Sequence, residues 1–396
     1  MVYALEDKLG MGPGKHTEGT KEVNNYYIAP PPNSFFTYTS SRNTSLLYGQ
    51  GSKFAEIAMY GRFAGSWSWS FILDYEYIEP LYLAFEKVTY DEYVGDSKPA
   101  KVKFEKSVSG RPKPFCARVR TLNTPAGGTN NDTVLLKGCI VRDMSFSRAG
   151  AGSQVQVQMS GFYVDEEMAL DQVEEPVTDY QSYDGDPVEY ACLIIDGEEV
   201  AYTEQISISF SNNTAQGYSG CSPFAQYFSE GYFDIRFGTV AYSNEPTRYK
   251  TRTYSGGKDN THRKPMGKDL HPIDEVKIKC YTYSDHNLES DANLTGYDKP
   301  IYATDEGTGA ETLVKSGVDN SAKTITFTMQ GVVIKSYTSE KGDGQKLMDS
   351  ISSVEVVKGY IEVENFVNPG VIDLKIGGKH PLKSTSFTAA NPPYPA

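Results

Sequence analysis

The chain is poor in the residues that build cross-linked, metal-bound or membrane-embedded proteins. Its five cysteines among 396 residues are odd in number and widely spaced, so they do not form a disulfide framework. His16, His262, His271, His286 and His380 are scattered, and Cys280 with His286 lacks the close ligand pairs of a structural zinc site, so no metal is expected. No apolar run approaches the roughly 18 residues of a membrane span, and no membrane partner is expected. Lys and Arg number 38 against 51 Asp and Glu, a net charge of -13. That balance argues against gripping nucleic acid by neutralising its phosphates. The first residues, Met1-Val2-Tyr3-Ala4-Leu5-Glu6-Asp7, have neither the basic start nor the apolar stretch of a signal peptide. The expectation is a soluble acidic protein of about two domains, kept in a reducing cytoplasm.

Catalytic patterns are scarce too. Gly10-Met11-Gly12-Pro13-Gly14-Lys15-His16-Thr17 invites a phosphate-loop reading, but Leu9 stands where the first glycine belongs and His16 where a hydroxyl should follow Lys15. No Gly-x-Ser-x-Gly elbow occurs. Cys139, Cys192 and Cys280 lie in apolar strand patterns and read as core thiols. Neither an enzyme nor a cofactor is expected.

What is present is β-forming. The 36 Gly, 21 Pro and 29 Tyr supply turns and strand-favouring rings. Residues 66–71 read Ser-Trp-Ser-Trp-Ser-Phe, 154–159 Gln-Val-Gln-Val-Gln-Met, and 206–211 Ile-Ser-Ile-Ser-Phe-Ser. Each alternates with period two, which puts one side-chain set in a core and the other on the opposite face. Further strands are expected at 101–105, 134–147, 191–195, 233–240, 276–283, 324–335, 354–364 and 371–376. Helices are expected at 80–88, opened by Pro80, and at 343–350, with short turns at 53–59 and 223–229.

Between residues 164 and 190 stand ten acids and no base, which reads as an extended linker, assigned to 168–187. The ends, 1–20 and 367–396, read as irregular arms. An internal repeat divides what remains. Residues 41–63 (SRNTSLLYGQGSKFAEIAMYGRF) and 211–233 (SNNTAQGYSGCSPFAQYFSEGYF) agree at nine of 23 positions at a constant offset of 170. Leu136-Lys137-Gly138-Cys139-Ile140-Val141 similarly resembles Met329-Gln330-Gly331-Val332-Val333-Ile334, with Gly161-Phe162 and Gly359-Tyr360 after them. One β fold is therefore expected twice, over 21–167 and 188–366, the second copy enlarged at about 242–275.

Two surface features are candidate sites. The faces opposite the apolar rows carry Gln154, Gln156, Gln158, Ser207 and Ser209 rather than charges. Such rows suit a face against another subunit, a channel lining, or an ordinary wet face. Residues 248–268 hold seven bases against one acid, among them Arg248, Lys250, Arg252, Arg263 and Lys264. Their Gly, Pro and Asn neighbours indicate a loop, which is either plainly solvated, a contact to an acidic neighbouring subunit, or a nucleic-acid contact.

The Leu135–Ser147 strand, followed by the Val155–Gly161 strand, resembles the paired strands that end the tail tube domain of tailed bacteriophages and archaeal tailed viruses. Residues 206–237, with Ser-Asn-Asn, Ser-Pro-Phe and Gly-Tyr-Phe-Asp-Ile, are similar to the first half of that domain. The resemblance implies two tandem β-sandwiches, each with a short flanking helix, plus extended arms. It also implies three chains per ring, a homotrimer with pseudo-hexameric inner symmetry, and rings stacked into a tube that passes DNA. The expected setting is a virion tail assembled in the host cytoplasm. Partners would be further copies of the chain and the tape-measure, tail-tip and tail-terminator proteins, with DNA in non-specific passage. The Gln and Ser rows would line the lumen. A two-domain adhesion module for glycan or protein is the alternative, with Trp67 and Trp69 as its candidate platform.

Overall fold

A computed structural model describes residues 8–13, 34–48, 55–75, 78–85, 87–91, 100–106, 114–122, 131–150, 153–169, 187–218, 222–229, 231–242, 272–282, 301–304, 311–315, 324–340 and 348–366. The described chain is mainly β. Its first half holds β1 (Lys8–Pro13), β2 (Phe35–Tyr48), β3 (Ala55–Ile72), α1 (Glu79–Ala84), β4 (Lys87–Asp91), β5 (Ala100–Glu105), β6 (Phe115–Leu122), β7 (Asn131–Arg148), β8 (Gln156–Tyr163) and β9 (Asp165–Ala169). Its second half holds β10 (Val188–Ile195), β11 (Glu198–Ser211), β12 (Ala215–Tyr218), β13 (Ala225–Ser229), β14 (Asp234–Tyr242), β15 (Ile273–Thr282), β16 (Ile301–Thr304), β17 (Glu311–Lys315), β18 (Thr324–Glu340) and β19 (Met348–Phe366).

The alternating segments become central strands. Trp67, Trp69 and Phe71 of β3 are buried, as are Val157 and Met159 of β8 and Ile206, Ile208 and Phe210 of β11. The core is strongly aromatic: Phe146 packs edge-on to Phe210 and Phe327, and Phe85 to Phe210. Helix α1 is one and a half turns long and has Pro80 in its first turn but no side-chain cap. Burial of Leu81, Leu83, Ala84 and Phe85, rather than propensity, holds it in place.

Ladder pairing shows that the halves use one plan. In the first half, β2 pairs β3, β3 pairs β8, and β8 pairs β7. In the second, β11 pairs β14, β14 pairs β19, and β19 pairs β18. The hairpin register is the same at an offset of 170, with Phe35↔Ser70 matching Gln205↔Val240 and Leu47↔Ile57 matching Gly217↔Tyr227. Even the irregularity before Tyr48 recurs before Tyr218. A second layer, β1–β6–β7–β9, likewise has a counterpart in β10–β15–β18–β19. Gly138 and Gly331 stand at the same point of that layer with φ of 62° and 64°, a left-handed bend that other residues adopt at a cost.

Several sequence expectations are corrected. Residues 55–59 and 225–229 are strands, not turns, because each continues the long repeated hairpin. Residues 348–350 open β19 instead of closing a helix. Lys8–Pro13 is a strand on the edge of β6, where glycine offers no obstacle to pairing, so the start of the chain is not wholly irregular. Asp165–Ala169 of the acidic stretch pairs with β7, and Lys137 forms an ion pair with Glu167 at 2.6 Å. The Gly-aromatic match is also shifted. Val141 faces Gly161 whereas Met329 faces Gly359, so the strands correspond five residues away from the alignment expected. The extra length of the second half lies between β15 and β18 (283–323, against 123–130 between β6 and β7), and 243–272 is no longer than its counterpart 73–114. The expected strand at 371–376, the arm 367–396, and most of the 168–187 linker lie outside the described residues, as does any helix of the second half between β14 and β15.

Candidate self-assembly surfaces

The two halves are joined edge to edge. Residues 143–148 of β7 pair antiparallel with 206–211 of β11, in register Ser145↔Ser209. This junction makes one continuous sheet in the order β2–β3–β8–β7–β11–β14–β19–β18. At its two ends the edges that correspond to β11 and β7 are open: among the described residues β2 pairs only β3, and residues 333–340 of β18 pair only β19. An open edge presents a row of backbone donors and acceptors ready to take another strand.

One face of this sheet covers the core and the other is polar. Cross-strand rows run Ile72–Gln156–Ser147–Ser207–Gly238, then Ser70–Gln158–Ser145–Ser209–Arg236, then Ser68–Ser160–Asp143–Ser211–Asp234. Gln156, Gln158 and Ser207 are exposed, and Gln154 and Ser209 half-exposed. Four of the five residues singled out in the sequence thus lie in two adjacent rows. Gln154 precedes β8 on the same side. The ladder adds Ser145, Ser147 and Ser160, and aligns with them Ser68 and Ser70, which the alternation of residues 66–71 already set on the non-core face. The few charges here are compensated: Asp234 pairs with Arg236 at 2.7 Å, Asp143 pairs with Arg142 at 3.2 Å, and Asp143 also accepts from the Ser211 hydroxyl.

The joint is reinforced twice. The distal end of the second hairpin, β12–β13 with Phe224, seats on the first half. There the Tyr218 hydroxyl donates to the Phe63 carbonyl at 2.7 Å, Phe63 N–H donates to the Pro223 carbonyl at 2.8 Å, and Gln216 Nε2 donates to the Tyr163 carbonyl at 3.3 Å. Phe63 and Phe224 lie 5.6 Å apart, and the Arg62 guanidinium stands 5.1 Å over the Tyr218 ring. Burial raises the Tyr218 hydroxyl above its ordinary pKa, against the opposing pull of Arg62. On the other side, β5 of the first half pairs with β19 at Tyr360↔Glu105. Burial would raise the Glu105 carboxyl, but hydrogen bonds and charge from Lys87 and Lys103 more than offset it and hold it below its ordinary value.

Other candidates fall differently. Arg248, Lys250, Arg252, Arg263 and Lys264 lie outside the described residues. Trp67 and Trp69 are buried, Trp67 donating to the Phe162 carbonyl at 3.1 Å, so neither forms an exposed platform. Cys139, Cys192 and Cys280 are buried thiols outside any disulfide, and burial pushes Cys280 up to about 12. Among the described residues no group of His, Cys, Asp and Glu could hold a metal ion, and no helix is long and apolar enough to cross a membrane. No protein-family profile matches the chain, and no curated protein matches its sequence.

Proposed function

We propose that the chain is the structural subunit of a viral tail tube, closing head-to-tail into rings that stack around a DNA channel. The observation that carries this reading is the β7·β11 junction together with the matching open edges. The junction joins one unit to the next inside the chain, and its two counterpart surfaces, β2 and the end of β18, are unmatched among the described residues. A heterologous contact of this kind repeats from copy to copy until rotation closes it. Transferring the Ser145↔Ser209 register through the two repeat offsets pairs Thr338 of one copy with Thr39 of the next.

The stagger is consistent with closure. A row that leaves Phe35 through Ser70, Gln158 and Ser145 arrives at Ser209, whose counterpart in β2 is Thr39. Four residues of slip over four strands, about 13 Å against about 19 Å, tilts the strands by roughly 35°, at the lower end of the range typical of closed barrels. Three copies would contribute about 24 strands, and at that tilt a ring roughly 45 Å across at the backbone. The uncharged Gln and Ser rows would line it, since lumenal cations would hold a polyanion that must slide. Tape-measure, tail-tip and tail-terminator proteins are the partners this role implies.

The test is assembly that depends on register. Threefold rings or tubes with a central hole should be seen by negative-stain microscopy of the purified chain. Thr39→Lys with Thr338→Lys puts like charges opposite each other and should raise the assembly concentration, whereas Thr39→Glu with Thr338→Lys should restore it. A chain that stays monomeric at all concentrations, or one indifferent to both pairs, overturns the reading.

A further inference from the structure

One face of the distal end of the first hairpin corresponds to a face that is covered in the second. Ala225 is 3% exposed in the seated β12–β13 end, while its counterpart Ala55 is exposed. Tyr218 is half-buried with its hydroxyl on Phe63, while its counterpart Tyr48 is 62% exposed. Leu46 stands beside Tyr48 on one face of this short two-stranded arm, and Leu47, Ile57 and Met59 are exposed on its other face. Leu46 and Tyr48 share the face whose counterparts, Gln216 and Tyr218, are seated in the second half, and an apolar pair left uncovered on that face marks a contact surface.

The receiving surface also has an uncovered counterpart. Offsets of 170 and 193 carry Arg62, Phe63 and Tyr163 onto Tyr232, Phe233 and Val356. Tyr232 is 91% exposed, and Phe233 is half-buried, stacked at 6.0 Å on Phe210. The arm of the first half cannot reach this place in its own chain, because β2 and β18 are the opposite ends of the eight-strand sheet. We propose that the β2–β3 arm docks on the Tyr232–Phe233 corner of a second copy, the Tyr48 hydroxyl donating to the Phe233 carbonyl as Tyr218 does to Phe63. This deepens the ring reading and rests on it.

The receiving corner differs from its template in a way that fits the arm. Where the first half offers Arg62 to a Tyr, the second offers Tyr232. Where the seated arm presents polar Gln216 to Tyr163, the free arm presents Leu46, opposite Val356. The contact between copies is thus the more apolar of the two, as suits a surface that must gain affinity from burial without a covalent link.

The experiment mixes two variants of the full chain, Tyr48→Cys and Tyr232→Cys, each with one cysteine added to the native five, under assembling conditions and adds a short bismaleimide. The unsubstituted chain treated alike is the background. Both positions are exposed, so neither substitution threatens the fold. A covalent dimer in the mixture, absent from either variant alone, is the expected result. Leu46→Ser with Tyr48→Ser, both on the docking face, should raise the assembly concentration at least tenfold while leaving the thermal midpoint unchanged. Rings that form without the mixed dimer overturn the docking arm and leave the ring reading standing. A chain that neither forms rings nor cross-links overturns both. A mixed dimer without rings supports the arm and counts against closure.

Discussion

Gly231 lies so close to Asn213 that a Cβ on it would stand 2.7 Å from the Asn213 Cβ and 2.9 Å from the Asn213 carbonyl oxygen. The same pair exists 170 residues earlier, where a Cβ on Gly61 would meet the Asn43 carbonyl oxygen at 2.8 Å. Both pairs sit where the long hairpin changes register, and Asn213 adopts a φ of 46° there, a conformation Asn tolerates better than most residues. Two of the nine identities in the repeat are therefore the two sides of one close backbone approach.

Gly231→Ala should accordingly destabilise the chain by about 1–3 kcal/mol, since the obstacle includes backbone and cannot swing away. Gly61→Ala should cost a similar amount. Chemical denaturation with unchanged m-value measures both. A loss under about 0.5 kcal/mol at either site, the ordinary range of a surface change, would show that the hairpin bend is not held by this contact.

What the sequence discloses depends on whether a strand has one wet face and one dry. Ser66–Phe71 and Gln156–Met159 alternate because Trp67, Trp69, Val157 and Met159 are in the core. β2 escapes detection because exposed residues such as Phe35, Thr37, Tyr38 and Thr39 occupy both of its faces, which leaves no period to read. The repeat was legible because Asn43, Gly61 and Tyr48 answer to the same backbone demands as Asn213, Gly231 and Tyr218. The polar rows were half legible. Period two separates Gln156 and Gln158 from the core, but their alignment with Ser145 and Ser209 depends on the bulge at Arg142, which no local pattern announces. The seating of Tyr218 on Phe63, 155 residues away, left no local signal at all.

Tyr218→Phe removes the hydroxyl that donates to Phe63 while keeping the ring beneath Arg62. A loss of about 1 kcal/mol is expected, the usual net value of one such bond. Tyr48→Phe should leave the stability of the isolated chain unchanged, because Tyr48 is exposed there. Parallel thermal denaturation of the two variants at a concentration below assembly checks the contrast.

The Glu105 carboxylate ties β5 to Lys87 and Lys103 beside the β5–β19 joint. Its pKa is lowered on folding, so its stabilisation is present above the ordinary value of 4.5 and is lost as pH falls through the depressed folded value. Between pH 7 and 5 the wild-type chain should be more stable than Glu105→Gln, and the gap should narrow below about pH 4.5. Denaturation curves at stepped pH read this directly. A gap that persists unchanged at pH 3 would assign the difference to packing instead.

Gln156 and Gln158 offer the sharpest test of the polar face. Both are exposed and in a ladder whose opposite side is fully packed, so Gln156→Lys with Gln158→Lys should leave the denaturation midpoint within about 0.5 kcal/mol of wild type. If that face lines a closed ring of three copies, the pair adds about six cations per ring. DNA held by roughly six phosphate contacts should then show a log–log salt slope near −5 and a loss of about 10³-fold in retention between 50 and 200 mM salt. Assembled wild-type particles should retain no DNA under the same conditions. Salt-dependent retention of a labelled duplex on assembled particles makes the measurement. Equal retention by wild type and variant would place these glutamines away from the channel.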